Sequence, residues 1–96
     1  MSSNTIQVLY FAGARDATGI PSETLSIPSG SSEIAVPAFI QTLITQHPKL
    51  SKVFSTAILA INNQYVDHEG RLLEGGESVT VKVGDEVAVI PPVSGG

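Results

Sequence analysis

Val87-Ala88-Val89-Ile90-Pro91-Pro92 is the stretch that decides the fold of this chain. Four consecutive apolar residues read as a strand covered on both faces, hence one in the middle of its sheet. The strand must stop at Ile90, because proline has no backbone N–H to give to a ladder and two prolines follow. A segment of the same kind lies near the other end of the chain. Residues 6–11, Ile-Gln-Val-Leu-Tyr-Phe, are almost continuously apolar and rich in β-favouring side chains, so they too read as a central strand covered on both faces.

The residues between these two strands supply the rest of a small sheet and one helix. Residues 13–21 read as a connection with one helical turn, and residues 28–32 as a turn-rich break. In residues 23–27, Leu25 and Ile27 alternate with Thr24 and Ser26, as in a half-exposed strand. Phe39, Ile40, Leu43 and Ile44 follow the spacing of one apolar helical stripe, with Gln41, Thr42, Thr45 and Gln46 opposite. Pro37 belongs in the first turn of that helix, and His47-Pro48 closes it. His47 reads as a helix-end residue rather than a ligand. Residues 57–61 form an apolar strand, Asn62-Asn63 suits a two-residue hairpin turn, and residues 64–66 return. Residues 67–76 are polar and turn-like. Val79, Val81 and Val83 then alternate with Thr80 and Lys82, giving a further strand before a turn at Gly84-Asp85. The order is β-β-α-β-β-(β)-β. Setting both fully apolar strands in the middle of one mixed sheet, with the helix packed across it, uses all the apolar surface. The fold class is α+β, a β-grasp (ubiquitin-like) roll with an extended C-terminal tail.

Composition narrows the function. Ninety-six residues support one domain, with 42% hydrophobic and 15% charged side chains, as in a folded globule. There is no cysteine, so no side chain here can carry a persulfide, form a thioester or supply a thiolate ligand. Net charge is −4, and the five cations Arg15, Lys49, Lys52, Arg71 and Lys82 are scattered, leaving no basic stripe for nucleic acid. No apolar run has the length of a membrane span, and the first residues lack the basic and apolar regions of a signal peptide. These features point to a cytoplasmic protein whose partners are other proteins. Gly13-Ala-Arg-Asp-Ala-Thr-Gly19 lacks the glycine spacing and lysine of a phosphate loop. Asp67, His68 and Glu69 are adjacent in a turn, where side chains diverge, so they read as a solvated loop rather than a metal site. Lys49 and Lys52 read as a solvated turn.

The chain divides into a domain over residues 1–90 and a tail over residues 91–96, Pro-Pro-Val-Ser-Gly-Gly. Two prolines hold the backbone extended and stiff, and the two glycines make the tip as slim as a peptide can be. At about 3.3 Å per residue, the six residues after Ile90 reach roughly 20 Å from the body. Such a tip fits a narrow channel in which another protein acts on the terminal carboxylate. That carboxylate has a pKa near 3.5 and is anionic at neutral pH, so it is a poor electrophile until it is activated, for instance as an acyl-adenylate. No acid–base constellation in this chain supplies that step.

The ending Gly84-Asp-Glu-Val-Ala-Val-Ile-Pro-Pro-Val-Ser-Gly-Gly96 resembles the C-terminal signature of the small sulfur-carrying subunits of molybdopterin synthase, ubiquitin-like proteins of the ThiS/MoaD type. Val8-Leu-Tyr-Phe-Ala12 with Arg15-Asp16 and Gly19, His47-Pro48, and Asn63-Gln-Tyr-Val66 extend the resemblance over essentially the whole chain. The resemblance implies a non-catalytic carrier that binds no cofactor of its own. An adenylyltransferase of the ubiquitin-activating type uses ATP to adenylate Gly96, and a sulfurtransferase leaves a thiocarboxylate there. The tail then enters the large subunit, in a heterotetramer of two large and two small subunits, and two such sulfurs convert cyclic pyranopterin monophosphate to molybdopterin. Carried over by position, Gly96 bears the sulfur, Gly95 and Ser94 line the insertion path, and Ile90, Pro91, Pro92 and Val93 anchor the tail. One departure is the stretch from Glu74 to Val83, longer than the short turn usual in the family and read as an extra or lengthened strand. A carrier for thiazole synthesis or tRNA thiolation shares the fold, the Gly-Gly and the adenylation, though the Pro-Pro-Val-Ser-Gly-Gly ending favours the molybdopterin branch. A ubiquitin-like protein tag is a further alternative, against which stands the lack of an arginine just before Gly95.

Overall fold

A computed structural model describes residues 4–27 and 30–92. The elements run in the order β1 (Thr5–Tyr10), α1 (Ala12–Thr18), β2 (Ser22–Ser26), β3 (Glu33–Ile34), α2 (Val36–Gln46), α3 (Leu50–Val53), β4 (Ile58–Ile61), β5 (Gln64–Val66), β6 (Val81–Lys82) and β7 (Glu86–Ile90). Five strands make one mixed sheet in the order β2-β1-β7-β4-β5. The two apolar strands from the ends of the sequence are therefore neighbours in its interior. β1 and β7 run parallel, with Gln7 level with Glu86 and Tyr10 level with Val89, while the other pairings of the sheet are antiparallel. This is the β-grasp arrangement.

Period-two alternation sends Ile6, Val8 and Tyr10 of β1, Val87 and Val89 of β7, and Leu59 and Ile61 of β4 to one face, all buried. There they share one cluster with Val36, Phe39, Ile40 and Leu43 of α2 and with Leu50 and Phe54. Pro37 lies in the first turn of α2, where a missing N–H costs nothing. The helix ends at Gln46, and the amide of the capping residue His47 donates to the Leu43 carbonyl (2.8 Å). The Asn62-Asn63 hairpin turn is also as expected. Both residues have positive φ, 49° and 73°, the conformation that a right-twisted two-residue hairpin requires.

Four expectations need correction. β1 and β7 are central but not covered on both faces. Leu9, Ala88 and Ile90 are only half-buried and Phe11 is exposed, because all the helices pack on the other side. Among the described residues, no element covers the second apolar face of these strands. Residues 13–21 contain a full helix, α1, rather than one turn. Gly19, at φ 79°, ends it, and its amide donates to the Arg15 carbonyl at 2.7 Å. Only Ala14 of α1 is buried, so the segment shows no apolar period in sequence. Residues 79–83 do not form one strand of the main sheet. Only Val81 and Lys82 enter a ladder, with β3 in a separate two-stranded sheet. Their neighbours bond to loops instead: the Val79 amide to the Gly70 carbonyl (2.7 Å) and the Val83 amide to the Ser32 carbonyl (3.0 Å). Finally, residues 50–53 wind into the short helix α3, with Lys49 at its start and Lys52 within it, both exposed.

Candidate functional site

The open face of the sheet is where sequence and geometry concentrate unexplained apolar surface. On β1 the alternation that buries Val8 and Tyr10 turns Leu9 outward, Phe11 is exposed just past the strand's end, and on β7 the alternation turns out Glu86, Ala88 and Ile90. With Ala60 and Tyr65 they line a shallow groove of about 220 Å³ across four strands. Phe11 keeps 48% and Tyr65 52% of its surface in solvent. Large exposed aromatics on the β1 and β5 sides of one apolar groove are the composition of a protein-binding patch.

This patch runs directly into the root of the tail. Ile90, the last residue of β7, is half-buried and sits opposite Ile58 of β4. The Phe11 amide donates to the Val89 carbonyl (3.3 Å), so the neighbouring chain is tied down to the last turn of the ladder. Pro91 is half-buried and Pro92 is exposed. Val93, Ser94, Gly95 and Gly96, expected to carry the insertion path and the sulfur, lie outside the described residues. Of the seven site residues expected from sequence, Ile90, Pro91 and Pro92 are thus placed, at the edge of the open apolar face. Leu9, Phe11, Ala88 and Tyr65 were not anticipated as site residues. Their signal was present, since strands apolar at every position in a one-layer sheet must expose half of those positions.

Behind the tail root, on the helix side, a polar cluster ties three elements together. Glu23 Oε2 accepts the Tyr10 hydroxyl at 2.5 Å and lies 2.7 Å from His47 Nε2. The Tyr10 and His47 rings meet edge to face, with centroids 5.9 Å apart. Burial above all, then the hydrogen bond to Glu23 and its negative charge, push the Tyr10 phenol well above its ordinary value, so it stays a neutral donor. The cluster links β1, the edge strand β2 and the end of α2, as a brace rather than a reaction centre.

The candidates set aside from sequence fall apart structurally. Asp67 Oδ1 accepts the backbone amides of Glu69 and Arg71, each at 2.9 Å. His68 Nε2 lies 2.6 Å from the Ala57 carbonyl, and Glu69 faces Arg71 at 3.5 Å across solvent. Among the described residues no group of three or more His, Cys, Asp or Glu could hold a metal ion, and no helix is long and apolar enough to cross a membrane.

The arrangement matches known proteins along nearly its whole length. The model of the ThiS family matches residues 8–96. A human protein named molybdopterin synthase sulfur carrier subunit is 40% identical over 91 residues, covering 95% of this chain and 93% of that one. Among solved structures, a putative molybdopterin converting factor, subunit 1, from Pyrococcus furiosus superposes with a TM-score of 0.68 at 27% identity, over 95% of this chain and 100% of that one. The small archaeal modifier protein 1 of Methanosarcina acetivorans does so with a TM-score of 0.68 at 27% identity, over 100% of both chains. A β-grasp body, an apolar face that reaches Pro91-Pro92 and a family match that runs to the last glycine agree with one another: this chain belongs to the ThiS family.

Proposed function

We propose that this chain is the sulfur carrier of a molybdopterin synthase, acting through Gly96 and not as an enzyme by itself. The observation that carries the reading is the continuity of the open apolar face (Leu9, Phe11, Ala88, Ile90) with Pro91-Pro92 at the tail root. A partner that covers the face receives the tail in a fixed direction. Relatives named as sulfur carrier subunits over nearly the full length support the same assignment.

In this reading the Gly96 carboxylate attacks the α-phosphorus of ATP in an adenylyltransferase of the ubiquitin-activating type, expelling pyrophosphate. A sulfur nucleophile then displaces AMP and leaves a thiocarboxylate. The charged carrier docks its open face on the large synthase subunit, two small subunits with two large. Ile90, Pro91, Pro92 and Val93 anchor the tail there, while Ser94 and Gly95 line the path that brings the sulfur to cyclic pyranopterin monophosphate. ATP belongs to the activating enzyme. The reactions take place in the cytoplasm.

Intact mass spectrometry after incubation with ATP, a sulfur donor and the activating enzyme tests this. One oxygen-for-sulfur exchange located at Gly96 is expected. No exchange under conditions that thiolate a known carrier would sink the reading.

The likeness to small archaeal modifier protein 1 favours a second reading, in which Gly96 is joined to lysines of other proteins. The same incubation with cell extract distinguishes the two. Isopeptide-linked adducts of the chain point to a modifier, and a free thiocarboxylate to a carrier.

A further inference from the structure

We infer that the turn at residues 72–77 builds a second contact beside the open face: a groove that receives an arginine side chain of the large synthase subunit. This rests on the carrier reading above. The groove, about 670 Å³, is lined by Asn63, Gln64, Tyr65, Leu72, Leu73 and Glu74. It shares Asn63 and Tyr65 with the groove of the open face, so a partner seated on that face reaches it across the Tyr65 ring.

The turn is held in place. The Leu73 amide donates to the Tyr65 carbonyl (3.0 Å), the Leu72 amide to the Glu77 carbonyl (2.8 Å) and the Gly76 amide to the Leu72 carbonyl (3.0 Å). Bridges from Val66 to Leu72 and from Arg71 to Ser78 fasten its two ends. Gly75 and Gly76, at φ 94° and 72°, permit the tight reversal between them. A fastened turn that still leaves Leu73 57% exposed offers a formed surface rather than a loose one.

The lining chemistry selects the occupant. Tyr65 presents a half-exposed ring on which a guanidinium plane can stack, and Leu73 offers an apolar wall for a three-carbon stem. Asn63 and Gln64 carry side-chain amide oxygens able to accept its N–H groups. Glu74 supplies the opposite charge. Neither it nor Glu77 or Glu86 has an ion-pair partner among the described residues. The chain as a whole carries a net charge of −4, which favours a cationic contact. A lysine would match the charge but not the planar fork, and an acidic side chain would be repelled.

Calorimetric titration of the full chain with the large subunit of the same organism tests the inference. Glu74→Lys is expected to weaken binding by about tenfold and to lower its salt dependence. Tyr65→Ala is expected to weaken it about as much, and Tyr65→Phe, which keeps the ring, to restore most of the loss. Asp16→Lys, the same acidic-to-basic reversal at an exposed position of α1 on the helix side, serves as the control for a general charge effect. Wild-type affinity and salt dependence in Glu74→Lys overturn the inference while leaving the carrier reading intact, and so does an equal loss in the control. If the wild-type chain itself does not bind the large subunit, the carrier reading falls and the inference with it.

Discussion

Gly70 sits at φ 91°, and a Cβ built there would lie 2.9 Å from the Val79 carbonyl and 3.2 Å from Cγ2 of Val36. The neighbours are backbone and a β-branched core side chain, neither of which yields easily. Gly70→Ala is therefore expected to lose about 2 kcal/mol, read as a lower urea midpoint, from the combined backbone strain and overpacking. Tyr10 makes a different prediction at the same scale. Tyr10→Phe removes the hydroxyl that Glu23 accepts and should cost about 1 kcal/mol at neutral pH. Because the phenol is pushed up in the folded protein, the fold holds that proton more tightly than the unfolded chain. The resulting stability is complete below the unfolded value of about 10 and declines as pH rises past it. Urea midpoints measured across that range should fall less steeply for Tyr10→Phe than for the wild type. Equal slopes would show that the Tyr10 proton contributes nothing.

The turn after β5 is built around one carboxylate. The backbone amide of Arg71 foremost, with that of Glu69, holds Asp67 below the usual carboxylate range. A lowered folded-state value means stability that is present above the unfolded value near 3.9 and lost as pH falls through the folded one. Asp67→Asn should flatten the acid side of the stability profile, measured by urea midpoints between about pH 5 and pH 2. None of this was visible in Asp67-His68-Glu69 as letters, which show a polar turn and no bonding pattern. Elements that bury a periodic face were legible: α2 through Phe39 and Leu43, β2 through Leu25 and Ile27, and the hairpin through Asn62-Asn63. α1 buries Ala14 alone, and β3 pairs through two residues only, so neither leaves a period to read. Val79, Val81 and Val83 left a false one, because alternation records where side chains go and not which backbone completes the ladder. Pro91-Pro92 marks the end of β7 in the sequence as in the fold, while residues 93–96 lie outside the described residues. The open face was not legible, since apolarity at every position of β1 and β7 reads equally as coverage on both faces.

For the molecule as a whole, the proposed docking role of the open face predicts that stability and function separate there. Phe11→Glu changes a side chain that is 48% exposed, so the urea midpoint should move by less than about 0.5 kcal/mol equivalent. Binding to the large subunit should fall by at least about tenfold, because a charge replaces an aromatic anchor. Deleting Gly96, or adding one residue after it, should abolish oxygen-for-sulfur exchange in the mass spectrum with the midpoint unchanged. The parallel pairing of β1 with β7 also fixes where a reporter can be attached. Thr5 enters the sheet two residues before the level of Glu86, and Ile90 leaves from the opposite rim, about 20 Å away at roughly 3.3 Å per residue. A dye, an affinity handle or a surface tether placed ahead of β1 hangs from the far side of the molecule and leaves the exit of the tail clear. In the proposed carrier reading, the same handle fused behind Gly96 blocks the carboxylate that takes up the sulfur.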